Sequence, residues 1–344
     1  MTEIANPLLD FRGLPRFDAI APEHVEPALR QLLDENRALI ERLTQDTTPP
    51  SWDNFAAPLA DGMERLSRAW GIVGHLHSVL DVPPWREAYN ALLPEVSRFY
   101  AELGQNLALF ARYKALRDSP EYATLSAARQ RILDNEIRDF RLSGAELPEE
   151  QKPRFQAIQE ELAALAAKFS ENLLDATNAY AEFVTDEAEL AGLPADAIQA
   201  AREAAEKDGK AGWKFTLHMP SYLPVLQYAD SRRLRAALYR AHATRASEFG
   251  PEALDNSPLI RQILALHHEE AELLGYANFA AVSLVPKMAE SVDQVHAFLA
   301  DLAQKAKPFA EQDIAALRAY GRDTLGLATL EPWDVGYVSE KLLQ

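Results

Sequence analysis

Residues 155–173 read FQAIQEELAALAAKFSENL. The apolar positions Phe155, Ile158, Leu162, Leu165, Phe169 and Leu173 are spaced by three and four, which stacks them on one face of an α-helix. The same spacing recurs at Leu133, Ile137 and Phe140. It returns at Val292, Val295, Phe298, Leu299, Leu302 and Phe309. The fold class this predicts is mainly α, a multi-helix array of antiparallel helices.

Punctuation agrees with the periodicity. Pro22 suits the first turn of a helix reaching about Leu43, and Ser51 is placed to cap the next one, with Asp53 in its positive first turn. Pro83-Pro84 separates that helix from one starting near Trp85. Ser119-Pro120 and Ser143-Gly144 are further stops. Pro94 lies inside a helical pattern, where a missing N–H predicts a kink or an early break. Two short aromatic and β-branched runs, Tyr180–Thr185 and Trp213–His218, flank a polar helix over Pro194–Lys207. They are expected to form one small two-stranded element, with Asp208–Gly212 as a loop. The irregular stretch 180–230 holds the expected boundary between a first helical region, 1–180, and a second, 181–344. No fixed-period repeat is present.

Composition narrows the function classes. Hydrophobic residues make up 48% of 344, enough for a sizeable core. Cysteine is absent, which removes disulfides, thiolate zinc sites and thiol nucleophiles and suits a reducing compartment. Met1 to Pro15 lacks a basic and then apolar leader pattern, and no apolar run reaches the ~18 residues of a membrane span. A soluble, cytoplasmic protein is expected, with no membrane partner. The net charge of −17 comes without a Lys/Arg cluster, so no nucleic-acid partner is expected. The acidity reads as solubility, with attraction of cationic peptides as the alternative.

Motifs for phosphate, dinucleotide and serine-hydrolase chemistry are missing. The nearest approach to the zinc-peptidase helix motif H-E-x-x-H is His268-Glu269-Glu270-Ala271-Glu272, with Glu where the second His belongs. His268 and Glu272 would supply two donors, and a catalytic zinc takes three from the protein. An exposed polar face on a helix over about Ser257–Leu274 is the better reading, with Leu264, Leu273 and Leu274 buried. His75 and His77, at i and i+2, diverge on a helix. Asp293-x-x-His296 is single where a di-iron bundle needs paired Glu-x-x-His motifs. The adjacent carboxylates Glu149-Glu150, Glu160-Glu161 and Glu269-Glu270 point apart as solvated faces. Trp52, Trp70, Trp85, Tyr89, Phe99, Tyr100, Phe110 and Tyr113 fit inter-helix packing, with a peptide-binding role open for one or two exposed members.

Several stretches carry a further signal. They are Asn6-Pro7-Leu8-Leu9, IAPEHVEPA (20–28), YATLSAARQRILDNEIRDFRLSG (122–144), NLLDATNA (172–179) and VTDEAELAGL (184–193). MPSYLPV (219–225), LLGYANF (273–279), KMAE (287–290), Pro332-Trp333-Asp334 and Tyr337-x-Ser339-Glu340-Lys341 follow in order. This ordered set resembles the N-terminal half of the thimet oligopeptidase family of zinc metallopeptidases, in its oligopeptidase A branch. Val338 departs from an aromatic common at that place in the family.

The resemblance implies a two-part peptidase with a central channel that admits short peptides. It further implies a zinc held by an H-E-x-x-H helix and a downstream Glu, which lie beyond Lys341 in family members. No catalytic, cofactor-binding or metal-binding residue is therefore assigned in this chain, and no cofactor beyond the family's zinc. The expected role is one wall of the channel, inactive alone, with the catalytic half and short peptides as partners. A bared helical surface would favour self-association. A stand-alone helical scaffold that binds peptides or a protein partner is the alternative.

Overall fold

In a computed structural model, which describes residues 6–80 and 82–344, the dominant periodic signals become helices. The first five are α1 (Val25–Gln45), α2 (Ala57–Leu80), α3 (Pro83–Gly104), α4 (Leu107–Arg117) and α5 (Ala127–Leu142). Then come α6 (Lys152–Ala179), α7 (Ala195–Lys207), α8 (Met219–Tyr228), α9 (Arg232–Ala243), α10 (Ser257–Leu273) and α11 (Phe279–Leu284). The chain continues through α12 (Val292–Asp323) and α13 (Pro332–Leu343). Strands β1 (Glu182–Val184) and β2 (Trp213–Phe215) are the one sheet among the described residues. No helix of the described residues is long and apolar enough to cross a membrane.

The contacts group into two units. The first holds the described residues up to Leu165 together with Ala265–Glu290. Its helices α1, α2 and α3 pack on one another around Leu29, Leu32, Leu33, Leu66, Leu92 and Phe99, all buried. A second cluster joins α4 and α5 through Leu109, Phe110, Tyr113, Leu133, Ile137 and Phe140. Ser51 begins the α2 segment as expected: its hydroxyl accepts from the Asn54 N–H, and the Asn54 side chain accepts from the Ser51 N–H. Pro94 does not break α3. Leu92 and Val96 on either side of it are both buried, and burying two such side chains at roughly 1.5–3 kcal/mol each offsets the ~3 kcal/mol a helical proline costs.

The second unit holds Ala166–Leu264 and Ser291–Gln344. Its core gathers Val184, Leu193, Phe215, Val225, Leu234 and Leu238, with α13 packed on α8 and α9. The strands are shorter than the runs that predict them. They pair antiparallel, Glu182 opposite Phe215 and Val184 opposite Trp213. Gly212 enters β2 at φ +97, and a Cβ there would collide with the Val184 carbonyl oxygen. Only glycine fits this close approach.

Two burial expectations change. On α10, Leu264 is 63% exposed, and the inward positions are Leu266, Glu270 and Ala271. Glu270 can sit inside because it accepts a hydrogen bond from Gln159 at 3.0 Å and pairs with the His267 ring at 3.1 Å. On α6, burial is complete at Phe155 and Ile158 but Leu173 is exposed, and Asn172 turns inward instead. The Asn172 amide donates to Asn256 at 2.9 Å, and Asn256 donates to the Phe169 carbonyl at 2.9 Å.

Candidate functional site

The histidines with metal-ligand spacing gather at most one carboxylate each. His268 Nε2 lies 3.4 Å from Glu272 Oε1, one turn along α10, with side chains 65% and 66% exposed. Among the described residues no three His, Asp or Glu side chains converge on a point that could hold a metal ion. A hydrolytic zinc takes three protein donors and one open position. His268 and Glu272 supply two donors, and no third joins them among the described residues. His75 faces the ring of Phe17, whereas His77 stacks on Tyr89 with centroids 4.3 Å apart. Asp293 and His296 are both exposed on α12.

In the pairs Glu160-Glu161 and Glu269-Glu270 the two carboxylates diverge to different partners. Glu160 takes Arg98 and Glu161 takes Arg154. Glu269 receives Nε and Nη2 of the same Arg154, both at 2.6 Å, while Glu270 turns inward. The Arg154 fork holds the Glu269 carboxyl below the usual carboxylate range, against the smaller opposing effect of burial.

A recess opens inside the first unit. Leu59 and Met63 of α2, Tyr100 and Leu103 of α3, Tyr113 of α4 and the Ile132, Glu136, Phe140 stripe of α5 line about 350 Å³. The stripe runs at i, i+4 and i+8, so one helix face supplies both apolar wall and carboxylate. A neighbouring cavity of about 330 Å³ shares Tyr100 and Ser143 and reaches Gln159 and Glu270. Burial pushes the Glu136 carboxyl above its ordinary value; the charge of Asp139 adds to this and that of Arg138 opposes it. Burial, with the nearby Glu136, likewise raises the Tyr113 hydroxyl. Of the aromatics singled out in the sequence, Trp85, Phe99, Phe110 and Tyr113 are core residues, and Tyr100 borders both cavities.

The second unit carries a buried ionic cluster. Asp334, at the start of α13, accepts from Arg235 Nη2 at 2.8 Å, from Arg232 Nη2 at 2.6 Å and from the Glu331 N–H at 3.0 Å. Burial alone would raise the Asp334 carboxyl, but the hydrogen bonds from Arg232, Arg235 and Glu331 outweigh it and the group lies below its ordinary range. The Arg235 guanidinium rests 4.0 Å from the Tyr337 ring centroid. Tyr337 donates to Asp230 at 2.7 Å, and burial followed by this bond pushes its hydroxyl up to about 12. The Arg235–Asp334 pair at its centre is closed to solvent and joins α9 to α13, so it holds structure.

An apolar stripe is left uncovered on α12. Phe298, Leu299, Leu302 and Phe309 are 62%, 55%, 47% and 67% exposed, although their spacing places them together on that helix.

Two family descriptions match the chain. Neurolysin/thimet oligopeptidase, N-terminal domain, matches residues 29–152. Peptidase family M3 matches residues 225–344. Oligopeptidase A of Salmonella typhimurium is 46% identical over 343 residues, covering 99% of this chain and 50% of the relative. Oligopeptidase A of Escherichia coli K12 is 45% identical over 343 residues, with the same coverage. A probable cytosolic oligopeptidase A of Arabidopsis thaliana is 39% identical over 348 residues, 98% of this chain and 49% of the relative. The chain thus spans about half the length of the curated relatives it matches.

Proposed function

We propose a function from one premise, that the chain belongs to peptidase family M3 and corresponds to the N-terminal half of its oligopeptidase A members: it is the non-catalytic part of a zinc endopeptidase acting on short peptides. In this reading it forms one wall of the substrate channel. The zinc and its ligands come from polypeptide outside these 344 residues, and the chain alone is inactive. A cytosolic setting suits a chain without cysteine.

The exposed face of α12 carries the reading. Four large apolar side chains on one stripe are costly to leave in water, at roughly 1.5–3 kcal/mol per side chain relative to full burial. Contiguous patches of this kind mark contact surfaces. A catalytic half of the size the relatives possess is the cover that fits.

The test uses a quenched fluorescent peptide. The 344-residue chain with added zinc is expected to give no turnover. Adding the C-terminal half of an oligopeptidase A relative is expected to yield chelator-sensitive cleavage that depends on both pieces. Chelator-sensitive turnover by the chain alone would overturn the proposal.

A further inference from the structure

We propose that the recess between α2, α3, α4 and α5 is a binding site for a small organic cation, a primary ammonium carried on an aromatic or branched aliphatic body. Two polar groups in it take no partner among the described residues. Tyr113 is only 4% exposed. Its hydroxyl has no hydrogen-bond partner among the described residues, yet it is not one of the unpartnered side-chain atoms sealed from solvent. Tyr113 lines the cavity. The Glu136 carboxylate likewise receives no donor and makes no ion pair there, whereas Asp134 and Asp139 on the same helix are taken by Arg117 and Arg138. Both groups border a recess open to solvent, so a ligand entering it meets a hydroxyl and a carboxylate that the protein has not already engaged.

The chemistry of that partner follows from the walls. An ammonium is attracted by the Glu136 carboxylate, can donate to it or to the Tyr113 hydroxyl, and is favoured by the aromatic lining that Tyr100 adds. An anion would meet Glu136 and Asp139 with like charge. A purely apolar ligand would leave both oxygens desolvated and unbonded, which costs more than its burial gains. The volume of about 350 Å³ sits at the small end of ligand pockets and suits a body the size of one phenyl ring. Asp139 and Arg138 act on the Glu136 charge and Tyr113 feels it; Tyr100 is the remaining titratable side chain of the recess, since α2 contributes only apolar side chains. The raised carboxyl of Glu136 sets the pH sense. Affinity for the cation is full above the pKa of the free protein and weakens as pH falls through it.

The experiment is calorimetric titration of the 344-residue chain with 2-phenylethylamine, with 2-phenylethanol as the uncharged match in shape and phenylacetate as the anion. The amine is expected to bind, the alcohol at least about tenfold more weakly, and phenylacetate not at all. Glu136→Gln is expected to lose about tenfold or more in amine affinity and all of its pH dependence, and Tyr113→Phe roughly three- to tenfold. A Phe-Ala dipeptide arm separates the sources. Affinity matching the amine assigns the ammonium to peptide N-termini, and weaker binding assigns it to free amines. Equal affinity for amine and alcohol, unchanged amine binding in Glu136→Gln, or no binding at about 10 mM amine overturns the proposal, and the ligand comparison decides even if a variant folds poorly.

Discussion

Arg235 and Asp334 meet at 2.8 Å with 1% and 0% of their side-chain surfaces in contact with solvent, 99 residues apart in the chain. Arg235 also donates to the Ala229 carbonyl at 2.7 Å, so its charge is enclosed on several sides. A buried ion pair adds little net stability over an apolar replacement, but removing one partner strands the other. Asp334→Ala is therefore expected to destabilise the second unit by about 3–5 kcal/mol. Urea denaturation followed by tryptophan emission checks this, since Trp213 and Trp333 both belong to that unit. A loss under about 1 kcal/mol would show that the pair does not hold α13 to α9.

The same carboxylate makes stability depend on pH. Its folded pKa is depressed by the two arginines, so its contribution is fully present above the unfolded value near pH 4 and is lost as pH falls through the folded value. Denaturation free energies across pH 2–6 are expected to decline toward acid more steeply in the parent chain than in Asp334→Asn. Parallel profiles for the two would assign the acid sensitivity to other carboxylates.

Gly212 gives a sharper backbone test. Its φ of +97 and the close Val184 carbonyl leave no room for a Cβ, whereas Gly209, at φ +67, has open space around it. Gly212→Ala is expected to cost roughly 1–3 kcal/mol or more and Gly209→Ala about 1 kcal/mol, read as the difference in midpoint between the two variants. Equal midpoints would mean that the β1–β2 pair yields locally at no cost.

What the sequence reveals and what it hides divides along physical lines. Helix positions depend on local spacing, caps and prolines, and α5, α6, α7 and α12 all follow from them. Burial depends on what each helix meets. The stripe from Phe155 to Leu173 predicts one buried face, yet Leu173 ends exposed because Asn172 finds Asn256, 84 residues away. Glu270 looks like a surface residue until Gln159, 111 residues earlier, supplies its donor. The return of Ala265–Glu290 to the first unit has no periodic or compositional mark. The recess at Glu136 is invisible for the same reason, since its walls come from four helices and only the Ile132, Glu136, Phe140 stripe is local. Pro332-Trp333-Asp334 stands out by resemblance, but its role appears only beside Arg232 and Arg235.

The His268–Glu272 pair makes a prediction about zinc. Two exposed donors one helical turn apart bind a divalent ion weakly, and no third donor joins them among the described residues. Titration of the chain with zinc is expected to show no site tighter than about micromolar, and His268→Ala is expected to leave the isotherm unchanged. A tenfold or greater loss of zinc affinity in that variant would establish a site that the geometry does not support.

The last expectation concerns α12. With Phe298, Leu299, Leu302 and Phe309 in water, two copies of the chain can each cover the other's stripe, and an isologous pair is the simplest closed arrangement. The 344-residue chain is expected to self-associate at high concentration by light scattering. The double variant Phe298→Glu, Phe309→Glu is expected to remain monomeric with its melting temperature little changed, because both side chains are more than half exposed and contribute little to the fold of the single chain. If the catalytic half of a relative covers the same stripe, the double variant also fails to gain activity when that half is added, whereas the parent chain does. A parent chain that stays monomeric at every concentration would separate the two occupants, leaving the heterologous cover and removing the self-pairing.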